Sequence, residues 1–469
     1  MEQSLRRAVT QGSLPPGTPL PPSRVLAGEL SVSRALVVGA YEQLIVEGYL
    51  EARQGSGTRV RANGLGAPTS PGPGGDGLTT DAAMDAVAGP YWPLPPGPGG
   101  ATMPGSGLPD PALFPRAEWL RHYRDVLRET PDSGLLYPPP RGELALRAAL
   151  AAYLGRVRGV RTTADDVVIC AGFSQGLALL CRVLFRRGVR RVAVEDPCFR
   201  LHRLIIEVAG LEAVPVPVSP EGLEVSRLAS LGDVGAVLLS PAHSYPSGAV
   251  LSASRRVALL DWARDTGGLV IEDDYDAELR YDRTPVGALQ GMDPARVAYG
   301  GSTSKVLSPA LRLGWIVVPR HLTGAVIRAQ LMENFSCESF GQLTLARFID
   351  SGGFARHLRR VRPVYRARRD ALLSALGRDL PRIPVSGEVA GLHLLLRMPA
   401  GWDPVAAAEA GARYGLQLED ASQHWADQAA APPALLIGYG TSRESALVRG
   451  IKALGSYASG GAAQPAEAS

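Results

Sequence analysis

The sequence predicts an α/β protein with a small helical head, a linker and a large body that carries a mostly parallel sheet. Over residues 108–457, short apolar runs alternate with amphipathic helical segments, as expected for parallel strands covered by helices. Residues 62–107 are rich in glycine and proline and cannot bury enough apolar surface to offset their ordering entropy. Residues 1–61 show short helical segments followed by two strand-like runs, and residues 458–469 are predicted to be a disordered tail.

The composition describes an ordinary water-soluble protein that is long enough for more than one core. Its hydrophobic content is 45% and its charged content 20%, and the net charge of +4 leaves room only for local basic surfaces. The first residues lack the apolar core of a signal peptide, and no apolar run is long enough to span a bilayer. The four cysteines show no paired or histidine-rich spacing. We therefore expect a cytoplasmic location, no membrane partner, no disulfide framework and no metal site.

The helices of the head are predicted in an order that is typical of DNA-reading modules. One helix is predicted over Arg24–Leu30 and a second over Arg34–Glu47, with Ser33 as its N-cap. Only Ser31 and Val32 separate the two helices. In a helix-turn-helix, the second helix lies in the major groove. A helical module for protein interactions is the alternative.

Two short strands follow, over Tyr49–Ala52 and Thr58–Arg61, and they are predicted to form a hairpin. The tip, Arg53-Gln54-Gly55-Ser56-Gly57, offers an arginine and backbone N–H groups. Such a tip is suited to contact with phosphate or with the minor groove. A protein-interaction module would not need it, so the hairpin favours DNA binding.

The head resembles the winged helix-turn-helix of GntR-type bacterial transcription regulators over its whole length. The matching runs are Leu20-Pro21-Pro22-Ser23-Arg24, Val32-Ser33-Arg34, Ala40-Tyr41-Glu42-Gln43-Leu44, Glu47-Gly48-Tyr49-Leu50 and Gly55-Ser56-Gly57-Thr58. The resemblance implies double-stranded operator DNA as a partner. It also implies the DNA contacts Arg24, Ser33, Arg34, Arg53, Gly55, Ser56 and Gly57. Ala35, Leu36 and Gly39 stand where relatives often carry Thr or Asn and a second Arg, which implies fewer base contacts.

Lysine is almost absent from this chain, which makes each lysine informative. Of the 49 basic residues, only Lys305 and Lys452 are lysines. Arginine cannot form an imine with an aldehyde at neutral pH, whereas a primary amine whose pKa is lowered by its surroundings can. Lys305 ends the hydroxyl-rich run Gly300-Gly301-Ser302-Thr303-Ser304-Lys305. At this point amine chemistry and an ordinary surface lysine are both open interpretations.

The chemically useful residues of the body fall where predicted strands end, which is where ligands of such folds bind. Residues 172–175 open a helix, whose free N–H groups can hold a phosphate, after the strand at 167–170. The acids of residues 272–276 follow a second strand, and Lys305 follows a third. A phosphate cradle, a carboxylate, a tyrosine and a lysine are what pyridoxal phosphate requires. The lysine forms the imine, the carboxylate keeps the pyridine nitrogen protonated, and the tyrosine bonds the ring oxygen.

The body resembles the fold-type I aminotransferases, and head and body together resemble the MocR subgroup of GntR regulators. The matching runs are Leu135-Leu136-Tyr137-Pro138-Pro139-Pro140-Arg141-Gly142, Glu195-Asp196-Pro197, Pro241-Ala242-His243-Ser244-Tyr245-Pro246-Ser247-Gly248, Glu272-Asp273-Asp274-Tyr275-Asp276, Ser302-Thr303-Ser304-Lys305 and Pro309-Ala310-Leu311-Arg312-Leu313-Gly314. The fold class that the resemblance implies is an N-terminal winged helix-turn-helix joined by a linker to a fold-type I aminotransferase-like domain dependent on pyridoxal 5'-phosphate.

The resemblance assigns roles around this cofactor. It implies Lys305 as the imine-forming lysine, Asp273 at the pyridine nitrogen and Tyr275 at the ring oxygen. Phe199 is expected against the ring face, and Tyr245 is expected among the cofactor-binding residues. The residues expected around the phosphate are Ser302, Ser304, Arg312, Gly172, Phe173, Ser174 and Gln175.

Three departures from the family pattern lie in the body. Phe199 stands where relatives often have Tyr, and Ser244 stands where they often have Gln. Leu436 stands where aminotransferases of this type carry an arginine that clamps the substrate carboxylate, and Arg443 has the wrong spacing to replace it. This last departure argues against efficient transamination of ordinary amino acids.

The sequence therefore predicts a transcription regulator whose body senses pyridoxal phosphate or an amine adduct of it, with no physiological turnover. A homodimer is expected, because fold-type I sites form at subunit interfaces and two heads suit paired half-sites. The expected effector is a small amine or amino acid. The alternatives are a working aminotransferase with a vestigial head, and a DNA-binding protein whose body no longer takes cofactor.

Overall fold

The computed structural model describes residues 1–53, 57–61, 107–281, 286–387, 389–399 and 402–460. The chain divides into two compact units, Met1–Pro93 and Leu94–Ser469. The predicted linker lies outside the described residues except for its last residue, Gly107, and the predicted tail lies outside them from residue 461 onward. The limits predicted for the linker and the tail therefore stay predictions.

The first unit contains three helices and a hairpin, and the second and third helices and both strands lie close to their predicted positions. Ser33 caps the third helix, because its Oγ accepts the N–H of Leu36 at 3.3 Å. The two strands pair antiparallel, from Leu50 opposite Val60 to Arg53 opposite Gly57. The elements are α1 Glu2–Thr10, α2 Ser23–Glu29, α3 Arg34–Val46, β1 Leu50–Arg53 and β2 Gly57–Val60. Their core contains Val37, Tyr41, Leu44, Leu50 and Val60.

The second unit is built on an eight-stranded sheet in the order β3-β10-β9-β8-β7-β4-β5-β6. The neighbouring pairs β5–β4, β4–β7, β7–β8 and β8–β9 are parallel, whereas β10 is antiparallel to both β3 and β9, and β6 is antiparallel to β5. The strands are β3 Val167–Cys170, β4 Arg191–Asp196, β5 Glu212–Ser219, β6 Gly222–Leu223, β7 Val234–Leu239, β8 Leu269–Asp273, β9 Val297–Ser302 and β10 Gly314–Val317. The prediction of a mostly parallel sheet is confirmed.

Both faces of this sheet are buried, which explains its continuous apolar runs. Along β3, Val167 and Ile169 join one buried cluster, whereas Val168 and Cys170 join another. Successive side chains of a strand point to opposite faces, so apolar residues are needed at every position. The helices of this unit are α4 Arg116–Glu129, α5 Leu144–Arg158, α6 Phe173–Arg186, α7 Arg200–Val208, α8 Ala253–Thr266, α9 Arg320–Asn334, α10 Ser339–Asp350, α11 Gly353–Asp379, α12 Pro404–Ala412 and α13 Glu444–Gly460.

A smaller antiparallel sheet follows, in the order β11-β12-β14-β13. Its strands are β11 Val385–Ser386, β12 His393–Arg397, β13 Gln417–Asp420 and β14 Ala434–Gly438. The last helix ends at Gly460, beyond the body boundary predicted at residue 457. None of the described helices combines the length and the apolar character needed to cross a membrane. All four cysteines are buried and free of disulfide bonds.

Candidate cofactor site

The topology brings the predicted site residues to one edge of the large sheet. Strand β8 ends at Asp273, and its neighbour β9 ends at Ser302, three residues before Lys305. Strand β3 runs parallel to β9, because both are antiparallel to β10, and Gly172 follows its end. The carboxyl ends of these strands therefore meet, as predicted from their order along the chain.

Of the four acids in the run 272–276, the structure leaves one with an unpartnered oxygen. Glu272 accepts two backbone N–H groups at 3.0 Å. Asp274 forms a buried ion pair with Arg158, with 2.7 Å between Oδ2 and Nε. Asp276 lies 2.8 Å from a histidine ring nitrogen. Asp273 Oδ1 is buried and has no hydrogen-bond partner among the described residues. Asp273 is therefore the acid that is available to a ligand.

The surroundings of Asp273 favour pairing with a positive group. Asp273 is only 5% exposed, and burial raises the pKa of its carboxyl well above the usual value. The nearest described cation candidate is His202, whose Nε2 lies 3.6 Å from Asp273 Oδ2. Burial lowers the pKa of His202 to about 4, so the ring is neutral at physiological pH. A protonated pyridine nitrogen would supply the missing charge, and the carboxylate therefore fits pyridoxal phosphate.

Asp273 lines one end of a cavity, and the other end of this cavity has the features of a phosphate site. Helix α6 begins at Phe173, directly after Gly172, whose φ of +91° is a conformation that favours glycine. A Cβ at Gly172 would meet the guanidinium of Arg312 at 3.4 Å, so glycine also leaves room for this cation. Ser302 and Ser304 line the same cavity. A helix N-terminus, an arginine and hydroxyl groups together suit a phosphate dianion.

Aromatic rings form the walls between these two ends. The ring centroid of Phe199 lies 5.3 Å from that of His202 and 5.6 Å from that of Tyr245, in edge-on arrangements. Phe199 is also nearly parallel to His424 at 6.3 Å. These contacts restrain Phe199 at the cavity wall, where it can pack against a planar ring.

Lys305 lines the same cavity as Asp273 and Arg312. Burial lowers the pKa of its amine, while the carboxylates of Asp276 and Asp273 oppose that shift. A lowered pKa increases the fraction of neutral, nucleophilic amine. Tyr275 lines the same cavity, and burial raises the pKa of its hydroxyl well above the usual value. The hydroxyl therefore stays protonated and can donate to a ring oxygen.

The cavity that contains Asp273, Lys305 and Arg312, called here the main cavity or cofactor cavity, is lined by nearly all of the residues predicted to bind the cofactor. Gln175 is the exception, because its side chain binds Ala171 N at 2.7 Å and Glu333 Oε1 at 3.2 Å and does not line the cavity. The predicted residues that do line it are Gly172, Phe173, Ser174, Phe199, Tyr245, Asp273, Tyr275, Ser302, Ser304, Lys305 and Arg312.

Sequence reasoning missed three polar residues of this lining, Glu195, His202 and Ser240. Glu195 accepts the N–H of Ser240 at 2.9 Å, and burial raises its pKa to about 7. Its position at the end of a parallel strand was a signal for it. His202 lies three residues after Phe199, about one helical turn, and therefore shares its face of the helix. This spacing was a signal for His202.

The place of Leu436 agrees with the loss of a carboxylate clamp. Leu436 is fully buried and packs with Leu395, Ala421 and Ala434. Its cross-strand neighbour on β13 is Glu419, an acid. Among the described residues that line the main cavity, Arg312 is the sole arginine, and it lies at the phosphate end.

The predicted DNA-contacting residues of the head are exposed where the structure describes them. Arg24, Ser33 and Arg34 are all exposed, and Arg34 Nε lies 3.4 Å from Ser23 Oγ. Arg53 ends β1 opposite Gly57. Gly55 and Ser56, predicted at the tip, lie outside the described residues.

The fold and the site define a class of protein: a winged helix-turn-helix head on a fold-type I aminotransferase body. Residues 114–417 match the family of class I and II aminotransferases, and residues 1–60 match the bacterial regulatory proteins of the gntR family. The chain belongs to the MocR-type GntR regulators, in which these two domains are joined.

Curated relatives match the chain almost from end to end. The pyridoxine biosynthesis transcriptional regulator PdxR of Corynebacterium glutamicum is 32% identical over 95% of this chain and 92% of its own length. The probable rhizopine catabolism regulatory protein MocR of Rhizobium meliloti is 30% identical over 96% of this chain and 92% of its own length. Among solved structures, an archaeal alanine:glyoxylate aminotransferase covers 75% of this chain and 89% of its own, at 27% identity and a TM-score of 0.70.

Proposed function

We propose that this regulator binds operator DNA through its head and senses pyridoxal 5'-phosphate, or an amine adduct of it, through its body. The observation that carries the proposal is the buried Asp273 carboxylate with an unpartnered oxygen, in the same cavity as Lys305. A sensor of a cytoplasmic metabolite that acts on DNA would work in the cytoplasm. The name of the PdxR relative, a regulator of pyridoxine biosynthesis, agrees with this kind of signal.

The residues present would hold the cofactor at both ends. Asp273 would pair with the protonated ring nitrogen, Tyr275 would donate to the ring oxygen, and Phe199 would cover the ring face. The N-terminus of α6 and Arg312 would bind the phosphate. When bound, pyridoxal phosphate supplies an aldehyde that joins covalently to amines and a ring that withdraws electrons.

The exposed N-terminal part of α3 supports DNA reading by the head. Residues 31–36 are all exposed, although Val32 and Leu36 are apolar. Apolar side chains beside Arg34 suit a major groove, where thymine presents a methyl group and guanine presents acceptors to arginine.

An exposed apolar surface on the body supports the proposed homodimer. Tyr137 is 86% exposed, and its ring centroid lies 5.0 Å from that of Phe335. Leu135, Leu136 and Met332 are also exposed. Neighbouring exposed aromatic and aliphatic residues are typical of protein interfaces, and a dimer would present two heads to paired half-sites.

Pyridoxal phosphate should change the operator affinity of the full chain by about fivefold or more, the lower end of typical allosteric coupling. The same cofactor-loaded protein should transaminate common α-amino acids very slowly. The physical reason is Leu436, because a substrate carboxylate would lose its hydration without gaining a pair of guanidinium donors. The measurements are an operator titration with and without cofactor and a parallel transamination assay.

Pyridoxine 5'-phosphate is the control ligand for this experiment, because it keeps the phosphate but has an alcohol in place of the aldehyde. It should bind without the covalent link and should change operator affinity less. Robust turnover of a common amino acid, together with an operator affinity that does not respond to cofactor, would contradict the sensor and favour a working aminotransferase.

A further inference from the structure

The amine of Lys305 lies in a second, small cavity that adjoins the cofactor cavity. Lys305 lines both cavities, and its Nζ donates to the carbonyl oxygen of Gly107 at 3.0 Å. Gly107 is buried and is the first described residue of the second unit, at the end of the predicted linker. The chain just beyond it is anchored, because Asp110 Oδ2 lies 2.7 Å from Arg368 Nη2. The carbonyl is therefore a positioned acceptor for an amine.

Two further groups of the small cavity suit an ammonium ion. Asp276 is 2% exposed and lies 2.8 Å from His243 Nδ1, so it acts on Lys305 through its charge, which raises the pKa of the amine. His393 is 1% exposed, and its Nε2 has no hydrogen-bond partner among the described residues. Burial lowers the pKa of His393 to about 3, and its ring also binds the backbone of Pro246. A neutral ring that donates through Nδ1 presents a lone pair at Nε2.

Covalent attachment to the cofactor would move the Lys305 amine out of the small cavity. The Lys305 nitrogen adds to the aldehyde carbon, a C=N bond forms, and the aldehyde oxygen leaves as water with the two hydrogens of the neutral amine. The nitrogen would then lie in the cofactor cavity, which Lys305 also lines. Gly107, Asp276 and His393 would be left lining a space that the lysine amine no longer occupies, with His393 Nε2 still without a hydrogen-bond partner among the described residues.

We propose that Gly107, Asp276 and His393 form an ammonium subsite, which holds whichever amine is not joined to the cofactor. It first holds the amine of an incoming effector, and after exchange it holds the displaced Lys305. In the exchange, the effector nitrogen bonds to the carbon and the bond from that carbon to Lys305 breaks. The two hydrogens of the effector amine move to the lysine nitrogen. This inference rests on the proposed function.

The subsite also defines the class of effector. A carboxylate close to the effector nitrogen would lie near Asp276 and be repelled by it. Among the described lining residues of the two cavities, Arg312 at the phosphate end is the one arginine, so none is placed to pair with that carboxylate. The effector is therefore a primary amine without a carboxylate close to its nitrogen. Gly107 adjoins the predicted linker. An effector amine in the subsite would therefore replace the Lys305 amine as the partner of the Gly107 carbonyl at the end of that linker.

The test uses the full chain loaded with pyridoxal phosphate and follows its visible absorption band during titration with amines. The probes share four carbons: n-butylamine, 4-aminobutyrate and L-2-aminobutyrate. Butylamine should shift the band at concentrations about tenfold or more below L-2-aminobutyrate, with 4-aminobutyrate between them. Equal or tighter binding of L-2-aminobutyrate would overturn the inference.

His393→Asn tests the acceptor, because asparagine keeps a donor near Nδ1 and lacks Nε2. Butylamine should bind about tenfold more weakly to this variant, the scale of one lost hydrogen bond. His321→Asn is the matched control, because His321 is exposed and lies outside both cavities. If His393→Asn and His321→Asn bind butylamine equally well, the subsite is wrong.

Gly107→Ala provides a second test if His393→Asn does not fold. A Cβ at this position would lie 3.7 Å from both Lys305 Nζ and His393 Nδ1, and alanine at a φ of +88° would strain the backbone that places the Gly107 carbonyl. Butylamine should bind this variant more weakly than wild type, and unchanged binding would count against the subsite. A wild-type protein that shows no cofactor band would instead overturn the proposed function, whereas a band without amine selectivity overturns the subsite alone.

Discussion

Lys305→Ala should abolish covalent retention of pyridoxal phosphate. Alanine has no amine, and Lys452, the other lysine of the chain, is exposed on α13 and lines neither described cavity of the site. The visible absorption band of the cofactor-loaded protein should disappear, since that band requires conjugation of the ring with a lysine-derived C=N bond. Borohydride reduction followed by mass spectrometry of the intact chain should detect no added cofactor.

Lys452→Ala is the control for this experiment and should keep both the band and the trapped cofactor. Noncovalent affinity of the Lys305→Ala variant for pyridoxal phosphate should persist, because the phosphate and ring contacts are unchanged. If Lys305→Ala still traps cofactor after borohydride, the assignment of the imine-forming lysine is wrong.

Arg34→Ala should weaken binding to the specific operator by about 1–3 kcal/mol, as expected for an arginine that reads a base edge. Arg34 is the first residue of α3 and is exposed, so its side chain can enter a major groove. Arg53→Ala should weaken specific and nonspecific binding more evenly, as expected for a phosphate contact near the hairpin tip. Both effects are measurable by titration of operator and unrelated duplexes at one salt concentration.

Arg186→Ala, at the exposed end of α6, removes the same charge from the body and serves as the control. It should leave the preference for operator over unrelated DNA unchanged. Unchanged operator affinity in both head variants would contradict the DNA-reading assignment of the head.

The strand-end residues of the site could be predicted because their placement depends on local order. Asp273 and Ser302 end neighbouring parallel strands, so their order along the chain predicts that they meet at one edge. Gln175 shows the limit of this reasoning. It belongs to the predicted helix start, but its side chain turns back to Ala171 N and to Glu333, a residue of another helix.

Fold class, the helix-turn-helix head and the types of chemical group in the body follow from the sequence by itself. Hydrophobic periodicity and strand-end positions are local properties, and they do not require knowledge of distant contacts. The tertiary structure alone decided which groups remain available to a ligand. Asp274 is neutralised by Arg158, 116 positions away, whereas Asp273 keeps an unpartnered oxygen. Lys305 likewise meets the Gly107 carbonyl across 198 positions. The availability of a polar group depends on partners brought together by folding, and no local pattern encodes those partners.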